Sequence, residues 1–407
     1  MKKQALIHYG GYAFSSIGAL VGVSLLSHIV PADIYGSVAL YIAIATLFQH
    51  IVREALGNAL MRHAEDIQLN KYTAVKLINK ARTPLLTCYA AICIFCCFWI
   101  NTAEYSELVL SFILIFLLGC AVIGESFLSA VLNRTAYAIH LNTLQWLRFP
   151  LAALFFTCFS GNTSSILSGF ILAFILAAVF DLFIFARIKK PGPTNLNSDT
   201  LDFNIFKGYA PILIGFFVWF TTFYDRIAIE KIRGEEMLGI YFVLVQIAYM
   251  PIIVLMRSSA NFLFPLMYNK NKRVLNRKLI ILIITALFAG WLFLLLSHQW
   301  IFSWLVGEQY RLYSWLLPWL FLAAVVNAIA YLFQAKFYQP NAIKTLMSIK
   351  ALAALVYFCT VTLFAWLYAI EGLVFANVCT SIFLMNLSWY FGRKHKLIGN
   401  RPSSDIS

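Results

Sequence analysis

Long apolar runs recur along the whole chain, and polar residues concentrate in the short stretches between them. Each run is close to the length at which an α-helix crosses the hydrocarbon core of a bilayer. Runs such as residues 108–124 lack the period-2 alternation of a membrane β-barrel. The pattern predicts twelve transmembrane helices, over residues 8–30, 35–58, 84–100, 108–131, 141–159, 165–186, 205–224, 238–262, 278–297, 312–333, 345–369 and 371–391.

Composition agrees with a membrane protein. Of the 407 residues, 61% are hydrophobic and only 12% are charged, whereas a soluble globular protein carries about 25% charged residues. We therefore predict an all-α polytopic membrane protein. No predicted loop is long enough to fold as a soluble catalytic domain, so its function should reside within the bilayer.

One clear linker divides the chain. Residues 186–203 are charged and interrupted by Pro and Gly, and they separate the first six predicted helices from the last six. We predict an N-terminal lobe, residues 1–195, and a C-terminal lobe, residues 196–407. Because each half contains an even number of spans, both insert in the same orientation, and the internal repeat should be parallel.

Basic residues recur at matching places in the two halves. The sequence around Arg148 returns around Lys350, and Arg53 returns as Arg257 at nearly the same offset. A charge within a membrane span is costly and is by default a candidate functional residue. We predict that these four cations bind an anionic substrate group; the alternative is that each extends to the headgroup region.

Most of the 31 Lys and Arg residues fall on the side of the membrane that holds both termini, which predicts cytoplasmic termini. This bias accounts for the net charge of +14 without nucleic-acid binding. The N-terminus resembles a signal peptide, but its apolar stretch is long and lacks a small-residue cleavage site, so we interpret it as an uncleaved first span. The eight cysteines lie in or beside predicted spans, and we expect them to be buried hydrophobic residues.

Three acidic residues fall within or at the end of predicted spans: Glu125, Asp181 and Asp225. Each is a candidate for binding a coupling proton or sodium ion, or it is the partner that neutralises an arginine. For any single acid we favour the pairing, and we expect at least one of the three to bind the coupling ion. The sequence has no phosphate-binding GK[ST] loop, no HExxH and no GxSxG, and its histidines show no metal-binding spacing. We therefore predict no catalytic residues, no enzyme activity, no metal and no cofactor.

Residues 224–251 resemble the polysaccharide-flippase branch of the multidrug/oligosaccharidyl-lipid/polysaccharide exporter superfamily. The similarity lies in Asp225-Arg226, Ile229, Gly234 and Gly239-Ile240-Tyr241, where span seven ends and span eight begins. LVGEQY (residues 305–310) is similar to a Gly-x-x-Tyr element of the same family. The resemblance covers the whole chain in length, through twelve spans in two halves of six.

The resemblance implies a flippase of the bacterial inner membrane that moves an undecaprenyl-pyrophosphate-linked oligosaccharide, an O-antigen unit or similar, by alternating access. Its expected partners are this substrate, membrane lipids, a polysaccharide polymerase and chain-length proteins. The alternatives are a cation-coupled multidrug antiporter or a lipid II flippase of the same superfamily. Lipid II flippases usually carry an arginine in span one and multidrug extruders an acid; this span has neither.

A different class, a membrane-embedded polysaccharide polymerase or ligase, would share the hydropathy pattern. Such enzymes generally carry a sizeable outward loop with catalytic basic residues. The longest outward loop predicted here, residues 225–237, is too short for that role.

Overall fold

The computed structural model describes residues 2–69, 72–99, 105–187, 209–256, 259, 277–338 and 342–399, and within them all regular structure is helical. The long helices are α1 (Lys2–Ile29), α2 (Ala32–Arg62), α3 (Tyr72–Trp99), α4 (Tyr105–Ala130), α5 (Arg134–Cys158), α6 (Thr163–Arg187), α7 (Ala210–Arg233), α8 (Glu235–Ala248, continued by Met250–Met256), α9 (Arg277–Leu305) and α10 (Leu317–Gln334). The last helical segment, Ile343–Gly399, is broken at Ala369 into α11 (residues 343–368) and α12 (residues 370–399). A short helix, Ala64–Leu69, and two 3₁₀ segments, Glu308–Leu316 and Ala335–Tyr338, join some of them.

The predicted all-α membrane architecture is confirmed. In the described part of the chain, nine helical segments are long and apolar enough to cross a membrane, and the bent α8 makes ten. One of these segments contains both α11 and α12. The remaining long helix, α5, is continuous, but polar residues that include His140, Asn142 and Arg148 interrupt its apolar sequence.

The prediction of an outward loop at residues 225–237 is wrong. Helix α7 continues to Arg233, and Gly234 alone separates it from α8. Gly234 has φ 89°, a left-handed conformation that glycine adopts without a steric penalty. The charges at the start of the predicted loop are buried within the protein: Asp225 is 2% exposed and accepts a hydrogen bond from the hydroxyl of Tyr241.

Helices α11 and α12 form an antiparallel hairpin. The chain reverses at Ala369, whose φ of 50° interrupts the helix between the predicted spans 345–369 and 371–391. The Thr360 and Thr380 hydroxyls lie 3.2 Å apart across the hairpin. The Tyr357 hydroxyl, one turn earlier in α11, donates to the Asn377 side-chain oxygen at 3.4 Å.

The two halves form two lobes that meet along α2, α7 and α8. Helices α1–α6 pack mainly on one another, as do α7–α12, while the second helix of each half lies at the seam. The predicted lobe boundary at residues 195/196 lies outside the described residues.

A reciprocal contact between glycines marks the axis of the repeat. A Cβ on Gly36 would collide with the carbonyl of Glu235, and a Cβ on Gly239 would collide with the carbonyl of Ala32. Gly36 and Gly239 are equivalent in the sequence repeat, as are Ala32 and Glu235. When residue i contacts j and the equivalent of j contacts the equivalent of i, the two units are related by a two-fold axis. The axis therefore passes between Gly36 and Gly239.

The same end of the molecule is held by further contacts between the lobes. We call it the turn face, because it carries the α1–α2 and α7–α8 turns. The Ser37 hydroxyl donates to the Glu235 carboxylate at 2.8 Å. The 3₁₀ segment before α10 covers the α1–α2 turn, where the side chains of Gln309 and Tyr310 each donate to the Val30 carbonyl at 3.3 Å. The LVGEQY motif thus joins the two lobes.

Two irregular turns interrupt the seam helices. Helix α2 contains a π-turn at Arg53–Gly57, and α8 bends by 45° between Ala248 and Met250. Pro251 explains the bend, because it lacks the N–H that would continue the helical hydrogen bonding.

Candidate functional site

A cavity with about 1460 Å³ of empty space, counting its open mouth, lies inside the first lobe. Its wall comes from α1, α2, α4, α5 and α6, and it is completed by α7 and α8 of the second lobe. Most lining residues are apolar. The polar and charged side chains at the wall are Tyr12, Ser15, Ser16, Thr46, Gln49, Arg53, Glu125, Tyr137, His140, Gln145, Arg148 and Gln246.

One face of α5 supplies much of this polarity. Residues three and four apart share a helix face, and Tyr137, His140, Leu144, Gln145 and Arg148 all line the cavity at this spacing. Such a stripe would be costly against lipid, and here it faces enclosed space. The polar residues that lower the hydropathy of α5 are therefore those that build the site.

Arg53 and Glu125 form an ion pair at the cavity wall. Their closest nitrogen–oxygen distance is 2.6 Å, and a second guanidinium nitrogen lies 3.4 Å from the other carboxylate oxygen. The Tyr137 hydroxyl donates to the same carboxylate at 3.3 Å. Gly57, the last residue of the π-turn, brings α2 against Ser126 of α4 and so places Arg53 opposite Glu125.

A second pair connects α5 with α6. The Nδ1 atom of His140 lies 2.8 Å from a carboxylate oxygen of Asp181, and both side chains are largely buried. Asp181 packs against Gly124 of α4, where any larger residue would displace its carboxylate. The pair therefore lies next to Glu125 and Arg53, and four helices of the first lobe contribute one ionisable group each.

Arg148 is the cation at the cavity wall that no acid of the described residues neutralises. Among the described residues, no carboxylate lies within 4 Å of its guanidinium, and its Nε atom is buried without a hydrogen-bond partner. The guanidinium carbon lies 4.4 Å from the centre of the Phe149 ring. A cation–π contact of this kind does not satisfy the N–H groups, so Arg148 lines the cavity with unused hydrogen-bonding capacity.

The other two predicted cations are not part of this wall. Lys350 is buried in the second lobe, where its ammonium lies 6.0 Å from the ring centre of Tyr331. Arg257 lies outside the described residues. Of the four cations singled out from sequence, the structure thus brings Arg53 and Arg148 together and places Lys350 elsewhere.

Asp225 belongs to a separate cluster in the second lobe. Its carboxylate accepts from the Tyr241 hydroxyl, and the side-chain nitrogen of Asn377 lies 3.5 Å away. Arg226, which is fully buried, reaches the same carboxylate at 3.3 Å. The guanidinium of Arg226 lies 4.4 Å from the ring centre of Phe223, which lines the cavity, so this cluster lies just behind its wall.

Sequence reasoning missed the polar residues of α5 other than Arg148. Tyr137, His140 and Gln145 carry a readable signal, since they repeat at helical spacing ahead of Arg148. The acidic partners of Tyr137 and His140 lie on other helices, which no local pattern indicates. In the described ranges no three His, Cys, Asp or Glu side chains come together in a way that could hold a metal ion.

Comparison with known proteins identifies the fold. No family model and no curated protein matches this sequence. Among solved structures, the outward-facing conformation of a multidrug resistance MATE family transporter of the MOP superfamily matches with a TM-score of 0.64 and 13% identity, over 99% of this chain and all of the other. The inward-facing conformation of such a transporter gives 0.63 and 11%, over 98% of this chain and all of the other.

A third structure, of MATE in the straight conformation, gives a TM-score of 0.66 and 12% identity, covering 99% of this chain and 100% of that one. At such identities the likeness establishes the arrangement of the helices. The protein therefore has the two-lobed fold of the MATE transporters.

Proposed function

We propose that this protein is a transporter that moves a lipid-linked oligosaccharide with an anionic pyrophosphate group across a bacterial inner membrane. The two lobes rock against each other at the α2–α8 seam and expose the cavity to each side in turn. The sugars and the pyrophosphate occupy the cavity, while the polyprenyl tail remains in the bilayer. Nothing in the substrate is broken or formed, so the protein is not an enzyme.

Arg148 carries this proposal. A guanidinium without a carboxylate partner, inside a cavity within the membrane, is costly unless an anion offsets it. Phosphate oxygens match the planar N–H groups of arginine, and charge-assisted hydrogen bonds of this kind are about twice as strong as neutral ones. The neighbouring Gln145, Gln49 and Gln246 provide the donors and acceptors that hydroxyl-rich sugars require.

The membrane potential favours the proposed direction. A charge that crosses the membrane changes its energy by about 2.3 kcal/mol per 100 mV. An inside-negative potential therefore drives a pyrophosphate outward. With both termini in the cytoplasm, the turn face lies on the outer side, so the described conformation holds the outer end of the seam together.

The test is transport by the purified protein in liposomes. An undecaprenyl-pyrophosphate-linked oligosaccharide with a fluorescent sugar is placed in the inner leaflet, and its arrival in the outer leaflet is measured by addition of an impermeant quencher. We expect movement that requires the protein and accelerates with an inside-negative potential. Movement no faster than in protein-free liposomes would exclude this substrate.

A second function, cation-coupled export of drugs, is favoured by a different observation. The carboxylate of Glu125 lines the cavity, and the His140–Asp181 pair lies beside it. In such an antiporter, a cationic drug and a proton would compete for Glu125. Efflux of a cationic dye driven by a pH gradient, together with no movement of the lipid-linked sugar, would establish this function in place of the first.

A further inference from the structure

The ion pair between Arg53 and Glu125 occupies the cavity that the substrate is proposed to enter. We infer that Glu125 takes up a proton when an anionic group binds, and that this protonation releases Arg53 to the anion. Anion and proton would then bind together. This inference rests on the proposed function, because it assigns Arg53 and Arg148 to one phosphate-bearing ligand.

The geometry shows why Arg53 cannot serve both partners at once. Two guanidinium nitrogens of Arg53 contact the two oxygens of Glu125, at 2.6 and 3.4 Å. Both side chains are only 12% exposed, and the exposed part faces the cavity. An arriving phosphate therefore competes with the carboxylate for the same N–H groups. It also brings a second negative charge close to Glu125, and like charges at short distance favour protonation of the carboxylate.

The proton balance is simple. Glu125 changes from carboxylate to carboxylic acid by accepting one proton from water in the cavity, and its hydrogen bonds with Arg53 are lost. The guanidinium keeps its charge and turns to the phosphate oxygens. The new acid can donate or accept one hydrogen bond with the Tyr137 hydroxyl, which already lies 3.3 Å away.

The other ionisable groups near Glu125 are engaged differently. On the helices around it, the charged or titratable side chains include His50, Arg53 and Glu54 on α2, Tyr137, His140, Arg134 and Arg148 on α5, Asp181 on α6, His8 and Tyr12 on α1, Tyr89 on α3, and His63 and Asp66 at the short helix. Glu54 accepts from Asn58 at 2.9 Å, and Asp181 is bound to His140. Glu125 is therefore the acid whose protonation frees a cation at the cavity wall.

The experiment counts protons. The full-length protein in detergent is titrated with inorganic pyrophosphate by calorimetry, in two buffers that differ in their heat of ionisation. Because pyrophosphate titrates in the same way with every variant, the difference between wild type and Glu125→Gln reports the protein's own proton. We expect wild type to take up about one proton more than Glu125→Gln. The ratio of the wild-type affinity to that of Glu125→Gln, in which the titration of pyrophosphate cancels, should fall by up to about tenfold per pH unit as the pH rises.

Glu107→Gln is the matched control, since Glu107 lies on the same helix and accepts a hydrogen bond from Tyr41 outside the cavity. It should take up as many protons as wild type. Infrared difference spectra of the wild type test the inference without any substitution: bound pyrophosphate should produce a new carboxylic-acid band.

Pyrophosphate binding with equal proton counts in wild type and Glu125→Gln would overturn this inference and leave the proposed function standing, as would the absence of the infrared band. If pyrophosphate binds to neither protein, the anionic substrate is itself excluded and both proposals fall. Competition between pyrophosphate and protons, with tighter binding at high pH, would also overturn the inference.

Discussion

The response of a buried basic residue to an anionic ligand depends on whether an acidic side chain already neutralises its charge. Arg53 and Arg148 look alike in sequence, each a basic residue in an apolar helix. In the structure Arg53 is neutralised by Glu125, whereas Arg148 has no acidic partner in the described part of the chain. The two arginines should therefore respond differently to the ligand, and Arg148 provides the plainer test.

Replacing Arg148 with Gln should weaken binding of the anionic substrate. Loss of a hydrogen bond to a charged group costs about 1.5–3 kcal/mol, or roughly 10- to 150-fold in affinity. Arg148→Lys should recover part of this, because it keeps the charge without the planar N–H groups. Transport of the labelled lipid-linked oligosaccharide in liposomes measures both. The exposed Lys231, replaced by Gln, serves as the control. Normal transport by Arg148→Gln would remove Arg148 from the site.

For single residues, the sequence indicates which charges are costly to place in a membrane span, but not which side chains surround them. Arg148 and Lys350 align in the repeat, yet one lines the cavity and the other is buried against Tyr331. Hydropathy detects a charge in an apolar segment, and it carries no information on the facing helix. For the same reason, pairing of Glu125 or Asp181 with a buried arginine could be suggested only as an alternative to ion coupling. Glu125 does contact Arg53, whereas the partner of Asp181 is His140.

Among the helices, the apolar segments were predictable from sequence, whereas the end of α7, where charged residues are buried, was not. The break between α11 and α12 at Ala369 falls between two predicted spans, because the apolar pattern is long enough for two crossings. The predicted end of α7, Tyr224, is nine residues short of the observed end, Arg233, because charged residues such as Asp225 and Arg226 are typical of a loop. Their burial depends on Tyr241 and Asn377, which are distant in sequence.

The crossing of α2 and α8 at Gly36 and Gly239 can be tested by substitution. Gly36→Ala and Gly239→Ala each add a Cβ that collides with the opposite carbonyl, so each should weaken the contact between the lobes at the turn face. We expect a lower melting temperature, and faster labelling of a cysteine introduced at Ser37 by an impermeant maleimide.

Gly10→Ala is the control, because Gly10 is helical and a Cβ there meets nothing within 4 Å. In helices, alanine is more favourable than glycine by about 0.5–1 kcal/mol, so this variant should be unchanged or more stable. If all three variants behave alike, the glycine crossing does not hold the lobes together.

In the whole molecule, transport requires the lobes to separate at the turn face. The Ser37 hydroxyl and the Glu235 carboxylate are 2.8 Å apart, so cysteines at these positions should be joined by a short bifunctional thiol reagent. In a background without the eight native cysteines, we expect the cross-linked protein to lose transport and each single-cysteine variant to retain it.

A second cross-link separates movement between lobes from general rigidity. Cysteines at Thr360 and Thr380 would join α11 to α12 within one lobe, where the two hydroxyls lie 3.2 Å apart. This cross-link should be tolerated if each lobe moves as a unit. Continued transport with Ser37 and Glu235 joined would show that the substrate crosses without separation of this face.

The contact between Gly36 and Gly239 has a consequence for how the protein can diverge. In a true homodimer, any substitution at such an interface appears twice, and a site built in one subunit is copied into the other. Here the two partners belong to one polypeptide, so a change in one half leaves its counterpart untouched. One lobe can specialise in recognition while the other keeps the geometry of the hinge. Arg148 and Lys350 illustrate this independence, because they occupy equivalent positions in the repeat but have different surroundings.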